Sequence, residues 1–264
     1  MGRAGTDVRF YPAGSAVFEF MTFADGPGEH GAAEAHRAAV RGLIDRQPDH
    51  LDLLHRVCRA AAGALSACGA GISVMTTDGI RGVSAASDPV SERIEELQFV
   101  LGEGPCIDAF AGRQPVLTAD LSAAATYQWP VYAPAAQDGG VRAVFAFPLQ
   151  IGAVRLGVID IFRDKVGPLT DEELRTALGF AAVTVEALLD RQANGHSRDG
   201  TAVLDVGHRA ELFQAQGMVM IQLGVSLGEA LARMRAYAYA ENRRLEDVAR
   251  DVVNRRLSLD GEKE

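Results

Sequence analysis

From about residue 49 onward the apolar positions recur with regular spacing. Leu53, Leu54, Val57, Cys58, Ala61 and Leu65 follow the i, i+3, i+4 rule and predict one helix face, with Cys58 a small buried hydrophobe on that stripe. In GISVMTTDGIRGVSAAS (71–87) two β-prone runs flank Asp78-Gly79, a hairpin signal because the turn needs φ > 0 at its centre. PVSERIEELQFVL (89–101) predicts a helix with its Pro in the tolerant first turn. LGEGPCIDAFAGRQPVLTADL (101–121) begins in a Gly-rich turn and ends in a strand at 115–119. The following YQWPVYAPAAQDGG (127–140) carries the only Trp among several breakers and predicts a loop with one helical turn.

VRAVFAFPLQ (141–150) and VRLGVIDIFR (154–163) predict two strands joined as a hairpin. Both faces of the first are apolar, which makes it a central strand. Thr170 and Glu173 form a capping box opening a long helix over 168–192, with Leu174, Ala177, Leu178, Ala181, Ala182, Val185 and Leu188 along one face.

Upstream the periodicity is poor. YPAGSAVFEF (11–20) reads as a short strand or an arm, and the Gly- and Ala-rich ADGPGEHGAAEAH (24–36) as a linker. The polar stretch ANGHSRDGTAV (193–203) is the strongest boundary signal in the chain. Beyond it the pattern is helical only. One stripe is Leu212, Ala215, Val219, Met220 and Leu223, stopped at Gly224. A second, behind a capping box of Ser226 and Glu229, is Leu227, Ala230, Leu231, Met234 and Ala238, and a third is Leu245, Val248, Ala249, Val252 and Val253. The expected organisation is therefore an arm and linker at 1–45, a domain with an antiparallel sheet flanked by helices at 46–192, a linker at 193–205 and a three-helix bundle at 206–260. The class is α+β.

Charge changes this picture. Across 264 residues, 26 Lys+Arg against 35 Asp+Glu give −9, a field that repels nucleic acid. Residues 205–264 hold nine Lys+Arg and ten Asp+Glu, so nearly all the excess acid lies upstream. Between Arg233 and Arg256 seven Arg meet four acids, and Arg233, Arg235, Arg243 and Arg244 fall around one helix–helix turn, where a phosphate backbone could dock. On charge alone they read as a solvated face with partners such as Arg243–Asp247 and Asp251–Arg255.

Three Cys at spacings of 10 and 38 fit neither a zinc pattern nor a disulfide framework. With no leader-like or membrane-length apolar run, a cytoplasmic protein without membrane contact is expected. No P-loop, His-Glu-x-x-His or nucleophile elbow occurs, and no His lies between residues 56 and 195 to ligate haem. No catalytic residue, cofactor or metal is expected.

The order helix, hairpin, helix, Gly-rich turn, strand, loop, two strands, long helix, with LGEGPC (101–106), the hairpin 141–162 and the closing helix, resembles the GAF family of sensory domains over about residues 49–192. The segment from AELFQAQGMVM to DVVNRRL looks like an ANTAR domain, the three-helix module of bacterial antiterminators that bind paired RNA stem-loops. The likeness rests on Ala215-x-Gly217 with Met220, on Ala230 and Arg235-Ala236, and on Leu245, Val248 and Ala249. The pairing is similar to actinobacterial transcription antitermination regulators. It implies a homodimer that binds dual stem-loops in nascent transcripts, with an unidentified small molecule in the GAF pocket.

The resemblance turns the basic stretch toward RNA, with Gln214, Gln216, Arg233, Arg235, Arg243 and Arg244 as the implied contacts and Ala215, Gly217, Met220, Ala236 and Ala249 as motif or packing positions. The family often has Lys where this chain has Gln216, so a phosphate-binding charge becomes a neutral group. Tyr237 and Tyr239 read as packing residues. Two alternatives stand beside this reading. One is a ligand-responsive protein-interaction module that binds no RNA. The other is a GAF-type redox enzyme like the free methionine sulfoxide reductases, in which Cys106 matches one position but 141–149 lacks the required thiol. Cys106 is a candidate sensor thiol, its pKa lowered by a helix start, weighed against a half-buried Cys lining the pocket.

Overall fold

In the computed structural model, which describes residues 8–10, 29–76, 79–195, 206–241 and 243–259, six antiparallel strands make one sheet. They are β1 (Val8–Phe10), β2 (Gly69–Thr76), β3 (Gly79–Ala86), β4 (Val116–Thr118), β5 (Ala143–Ile151) and β6 (Val154–Arg163), in the spatial order β1-β4-β5-β6-β2-β3. β5 and β6 pair from Ala143↔Arg163 to Ile151↔Val154. Gly152, at φ 54°, sits in the tight turn between them, where a side chain would be strained. β5 is buried on both faces from Ala143 to Leu149, and its Phe145 and Phe147 lie in the core with Phe162 and Phe180. Its apolar doublets thus mark an interior strand.

The β2–β3 pair is antiparallel, with Thr76 opposite Gly79. Gly79 is therefore the first paired residue of β3, and Asp78 lies outside the described residues. The segment 11–20 also lies outside them.

Seven helices of the described residues belong to this unit. The helix α1 (Glu29–Asp45) replaces much of the linker expected at 24–36. Its Ala-rich sequence favours helix strongly, and Val40 and Ile44 are buried. Then come α2 (Leu53–Ala64), capped by the Asp52 carboxylate on the Leu54 and His55 N–H groups, and α3 (Pro89–Leu101). α4 (Pro105–Gly112) follows. α5 (Ala123–Gln128) runs into the start of the stretch 127–140, and α6 (Tyr132–Asp138) extends the one helical turn expected within it. They exist because Trp129 and Tyr132 are buried and anchor them, an aromatic attachment that breaker residues hide in the sequence.

The closing helix α7 (Asp171–Gly195) opens on the expected box: Glu173 N–H donates to Thr170 Oγ1 at 3.2 Å and Thr170 N–H donates to Glu173 Oε2 at 2.7 Å. A Cβ at Gly179 would meet His36 and Val40 at 3.0 Å, so α1 crosses α7 over that glycine.

A second compact unit, parting from the first near residue 193, contains α8 (Val206–Leu223), α9 (Leu227–Ala240) and α10 (Leu245–Val253). Ala215, Val219, Ala230, Met234, Ala238, Leu245, Val248, Ala249 and Val252 form its buried cluster. Gly224 at φ 64° ends α8, and Ser226 Oγ accepts from Glu229 N–H to start α9. The α+β reading with three following helices holds. Among the described residues no helix is long and apolar enough to cross a membrane.

One glycine in the sheet tests the β2–β6 contact. A Cβ on Gly157 would stand 2.0 Å from the Ser73 carbonyl oxygen, and the atoms it meets are β2 backbone, which cannot rotate aside. Gly157→Ala is expected to lower unfolding free energy on the order of 3 kcal/mol by overpacking. Chemical denaturation reads this directly.

Candidate functional site

The polar residues of α3 carry the most unusual chemistry of the sheet unit. Ser91, Glu95 and Gln98 recur at helical spacing on one face, and all three are buried. Glu95 is fully enclosed over the sheet, and glycine makes room for it. A Cβ on Gly71 would lie 2.3 Å from Glu95 Cγ. Gly71 pairs with Asp160 of β6, so Asp160 rises on the same sheet face, also fully enclosed. An acid in the centre of LGVIDIF, an otherwise apolar strand, is costly without compensation.

Gln98 supplies part of that compensation. Its Nε2 donates to Glu95 Oε2 at 3.1 Å and to Asp160 Oδ2 at 3.4 Å, and its Oε1 accepts the Cys106 N–H at 2.8 Å. The Gly-rich turn fits around that amide. At Gly104, with φ 134°, a Cβ would fall 2.5 Å from Gln98 Oε1. Pro105 and Cys106 then open α4, which turns the Cys106 side chain inward.

Two further acids of the same segment hold the next two helices. Glu103 Oε1 accepts from the Val131 and Tyr132 N–H groups, both at 2.7 Å. Asp108 Oδ2 accepts from Gln128 Nε2 at 2.8 Å and Trp129 Nε1 at 3.0 Å. Tyr132 is thereby fixed in the core, edge-on to Trp129.

These groups titrate abnormally. Burial, then the neighbouring charge of Asp160, pushes Glu95 well above the usual carboxylate range. Burial raises Asp160 to about 6, opposed by its polar neighbours Glu95, Cys106 and Gln98. Cys106 corrects an expectation. It is wholly buried, and burial together with Asp160 and Glu95 pushes its thiol up, outweighing any helix dipole. As it stands it is a protonated thiol and not a reactive thiolate. Cys58 is buried on α2, and Cys68 is exposed with its Sγ donating to the Phe162 carbonyl.

The residues implied for RNA are spread unevenly in the helical unit. Gln214 and Arg233 are exposed, Arg233 in a loose pair with Glu229 at 3.4 Å. Arg244 is exposed at the N-cap of α10, and Arg235 is half-buried on α9. Arg243 is engaged: it pairs with Asp251 at 2.6 Å, one turn beyond the Asp247 partner that i,i+4 spacing suggests. Asp251 also approaches Arg256, not Arg255.

Gln216 differs most from its implied role. It is buried, and its Nε2 donates to the Leu227 carbonyl at 2.8 Å, tying α8 to the first turn of α9. Gly217 differs too, since a Cβ there would meet nothing within 4 Å, and Ala236 faces solvent. Ala215 and Ala249 lie fully in the bundle core, with Met220 partly buried against it. Tyr237 also packs partly on that core, whereas Tyr239 is exposed.

Glu95 and Asp160 were not singled out by periodicity. The visible signals were the polar Ser91, Glu95 and Gln98 at one helical spacing in α3 and the lone acid in β6.

The raised Asp160 pKa has a pH consequence. In the folded chain this carboxyl holds its proton to about 6, against 3.8 for the ordinary group. Its favourable contribution is present below about pH 4 and is lost as pH rises through about 6, a difference on the order of 3 kcal/mol at ~1.4 kcal/mol per unit. Asp160→Asn removes that loss. Thermal melts in EDTA buffer are expected to show the variant gaining on the native chain from pH 4 to pH 7, and parallel curves would refute it.

Comparison with known proteins agrees with this architecture. The GAF domain family matches residues 48–189, and the ANTAR domain family matches residues 205–253. No curated protein matches the chain. Among solved structures it is similar to the GAF domain of a phosphoenolpyruvate-protein phosphotransferase from Coxiella burnetii, at 14% identity and TM-score 0.46, covering 62% of this chain and 96% of that one. The GAF domain of an Acinetobacter phosphoenolpyruvate-protein phosphotransferase is similar at 11% identity and TM-score 0.44, covering 62% and 98%. Both matched families are regulatory or signalling domains, not catalytic ones. With more than half its length matched, the chain belongs to the GAF domain family and carries an ANTAR domain after its GAF domain.

Proposed function

We propose that this chain is a cytoplasmic, homodimeric transcription antitermination regulator. Its GAF domain responds to a signal, and its ANTAR domain binds paired RNA stem-loops so that a terminator hairpin does not form. The observation that carries the reading is the ANTAR match at 205–253 directly after a GAF domain.

Charge supports it. The ANTAR segment is nearly neutral within an acidic chain, and its arginines gather between Arg233 and Arg256. Exposed Arg233 and Arg244, with Gln214, are the contacts we assign to RNA phosphate. Arg243 and Gln216 hold the bundle together: one pairs with Asp251, the other donates to the Leu227 carbonyl. Since neither the overall field nor one short bundle provides strong affinity, two bundles acting together on two stems supply it through effective concentration.

Gel-shift titration against dual stem-loop RNAs from the source genome tests the proposal. Binding is expected to weaken steeply with salt. Arg233→Ala and Arg244→Ala are each expected to weaken binding and to make the log–log salt slope shallower by about one. Gln216→Ala is expected to cost about 1 kcal/mol of stability and to leave that slope unchanged. A protein that shifts none of these RNAs, or shifts them with no salt dependence, overturns the reading and favours a protein partner.

A further inference from the structure

Inside the GAF domain three donor atoms of different chemistry converge. A carboxylate oxygen of Glu95, one of Asp160 and the sulfur of Cys106 all lie within 4.8 Å of one another, and none of the three residues is exposed. They come from three separate elements, α3, β6 and α4, so no local sequence pattern accounts for the meeting.

A second observation is independent of the acids. Tyr132 Oη is fully enclosed and has no hydrogen-bond partner among the described residues, and Ser73 Oγ, equally enclosed, lies against Glu95 and Cys106. Glu95 and Asp160 are hydrogen-bonded to each other through the proton that Glu95 holds. Burial, and then the charges of Asp160, Glu95 and Cys106, push the Tyr132 hydroxyl well up, which places that hydroxyl within electrostatic reach of the cluster. A purely structural network would leave no hydroxyl such as that of Tyr132 unpaired, because an orphaned buried polar group is costly. An orphaned hydroxyl beside two acids and a thiol describes a site with a missing central partner. The polar atoms point to a cation.

We propose that Glu95, Asp160 and Cys106 bind one divalent first-row transition-metal ion of the zinc or iron(II) kind, with the Ser73 and Tyr132 hydroxyls bordering it. Sulfur in the donor set selects these ions over magnesium and calcium, which take oxygen only. Three anionic donors offset both charges of the ion and leave one net negative charge, in a place where unpaired carboxylates are expensive. Binding exchanges the Cys106 thiol proton and the Glu95 carboxyl proton for the metal, as coordination requires. Gln98 orients the site from outside it, holding one oxygen of each acid and the backbone of Cys106. The inference rests on the sensor reading only in making the ion the signal; ion binding itself is read without RNA.

The test uses the full-length chain, reduced, stripped with EDTA and titrated anaerobically with Co2+ as a coloured probe. One equivalent is expected to bind and give a near-ultraviolet thiolate-to-cobalt absorption, which Zn2+ then abolishes. Because the donors are enclosed, loading requires local opening and is expected to be slow. Cys106→Ser is expected to lose the band, while Cys58→Ser and Cys68→Ser keep it. Glu95→Gln and Asp160→Asn, which retain the thiol, are expected to weaken binding about tenfold or more.

A native chain that shows no band overturns the proposal whatever the variants do. So does a band that survives Cys106→Ser, or Mg2+ competing as well as Zn2+. Metal binding that leaves RNA affinity unchanged keeps the site and refutes its role as signal. RNA binding by a chain that takes no metal refutes the site and leaves the RNA reading standing.

Discussion

The carboxamide of Gln98 is the hinge on which the GAF domain's interior depends. One side chain donates to two buried acids and accepts from the backbone that starts the next helix. It therefore fixes α3 against the sheet and sets where α4 begins. Gly71 and Gly104 exist in this arrangement to clear Glu95 and Gln98, since a methyl group at either position would collide with them. The Gly-rich turn that makes the segment recognisable is thus not a phosphate cradle. It is the clearance around an amide, and Glu103 and Asp108 extend its influence to the helices that follow.

That interior explains why Cys106 differs from a sensor thiol. A cysteine near a helix start is read as activated because the dipole favours the thiolate. Here enclosure and two nearby acids act in the opposite direction and win. Charge buried without full pairing is stable only if it is neutralised, by protons or by a cation. The same surroundings that keep the thiol protonated give it value as a ligand.

In the ANTAR unit, small and basic residues divide their labour by direction. Ala215, Ala230 and Ala249 let the helices approach, and Gln216 and Arg243 close the bundle with bonds across its turns. Arg233 and Arg244 face outward. A stretch that counts as uniformly basic in the sequence is in the fold partly structural ion pairing and partly exposed charge. The acidity of the remainder sets the background against which that exposed charge acts.

Periodicity alone determined the helices α2, α3 and α7, the β5–β6 hairpin, and the three C-terminal helices, because each repeats a local spacing or carries a local cap such as Thr170–Glu173 or Ser226–Glu229. It missed α1, where Ala and Gly composition read as linker, and α5 and the extent of α6, where buried Trp129 and Tyr132 outweigh the breakers around them. The directions of Gln216 and Arg243 were not legible, since their partners, Leu227 and Asp251, lie 11 and 8 residues away on or beyond the next helix. Least legible was the meeting of Glu95, Cys106 and Asp160. Each sits in a segment whose local pattern is satisfied without the others, and only the pairing of β2 with β6 and the packing of α3 and α4 over that sheet bring them together. Local spacing encodes elements; the chemistry at the centre of this domain arises because Asp160 meets Cys106 and Glu95 from 54 and 65 residues away, which no short-range pattern records.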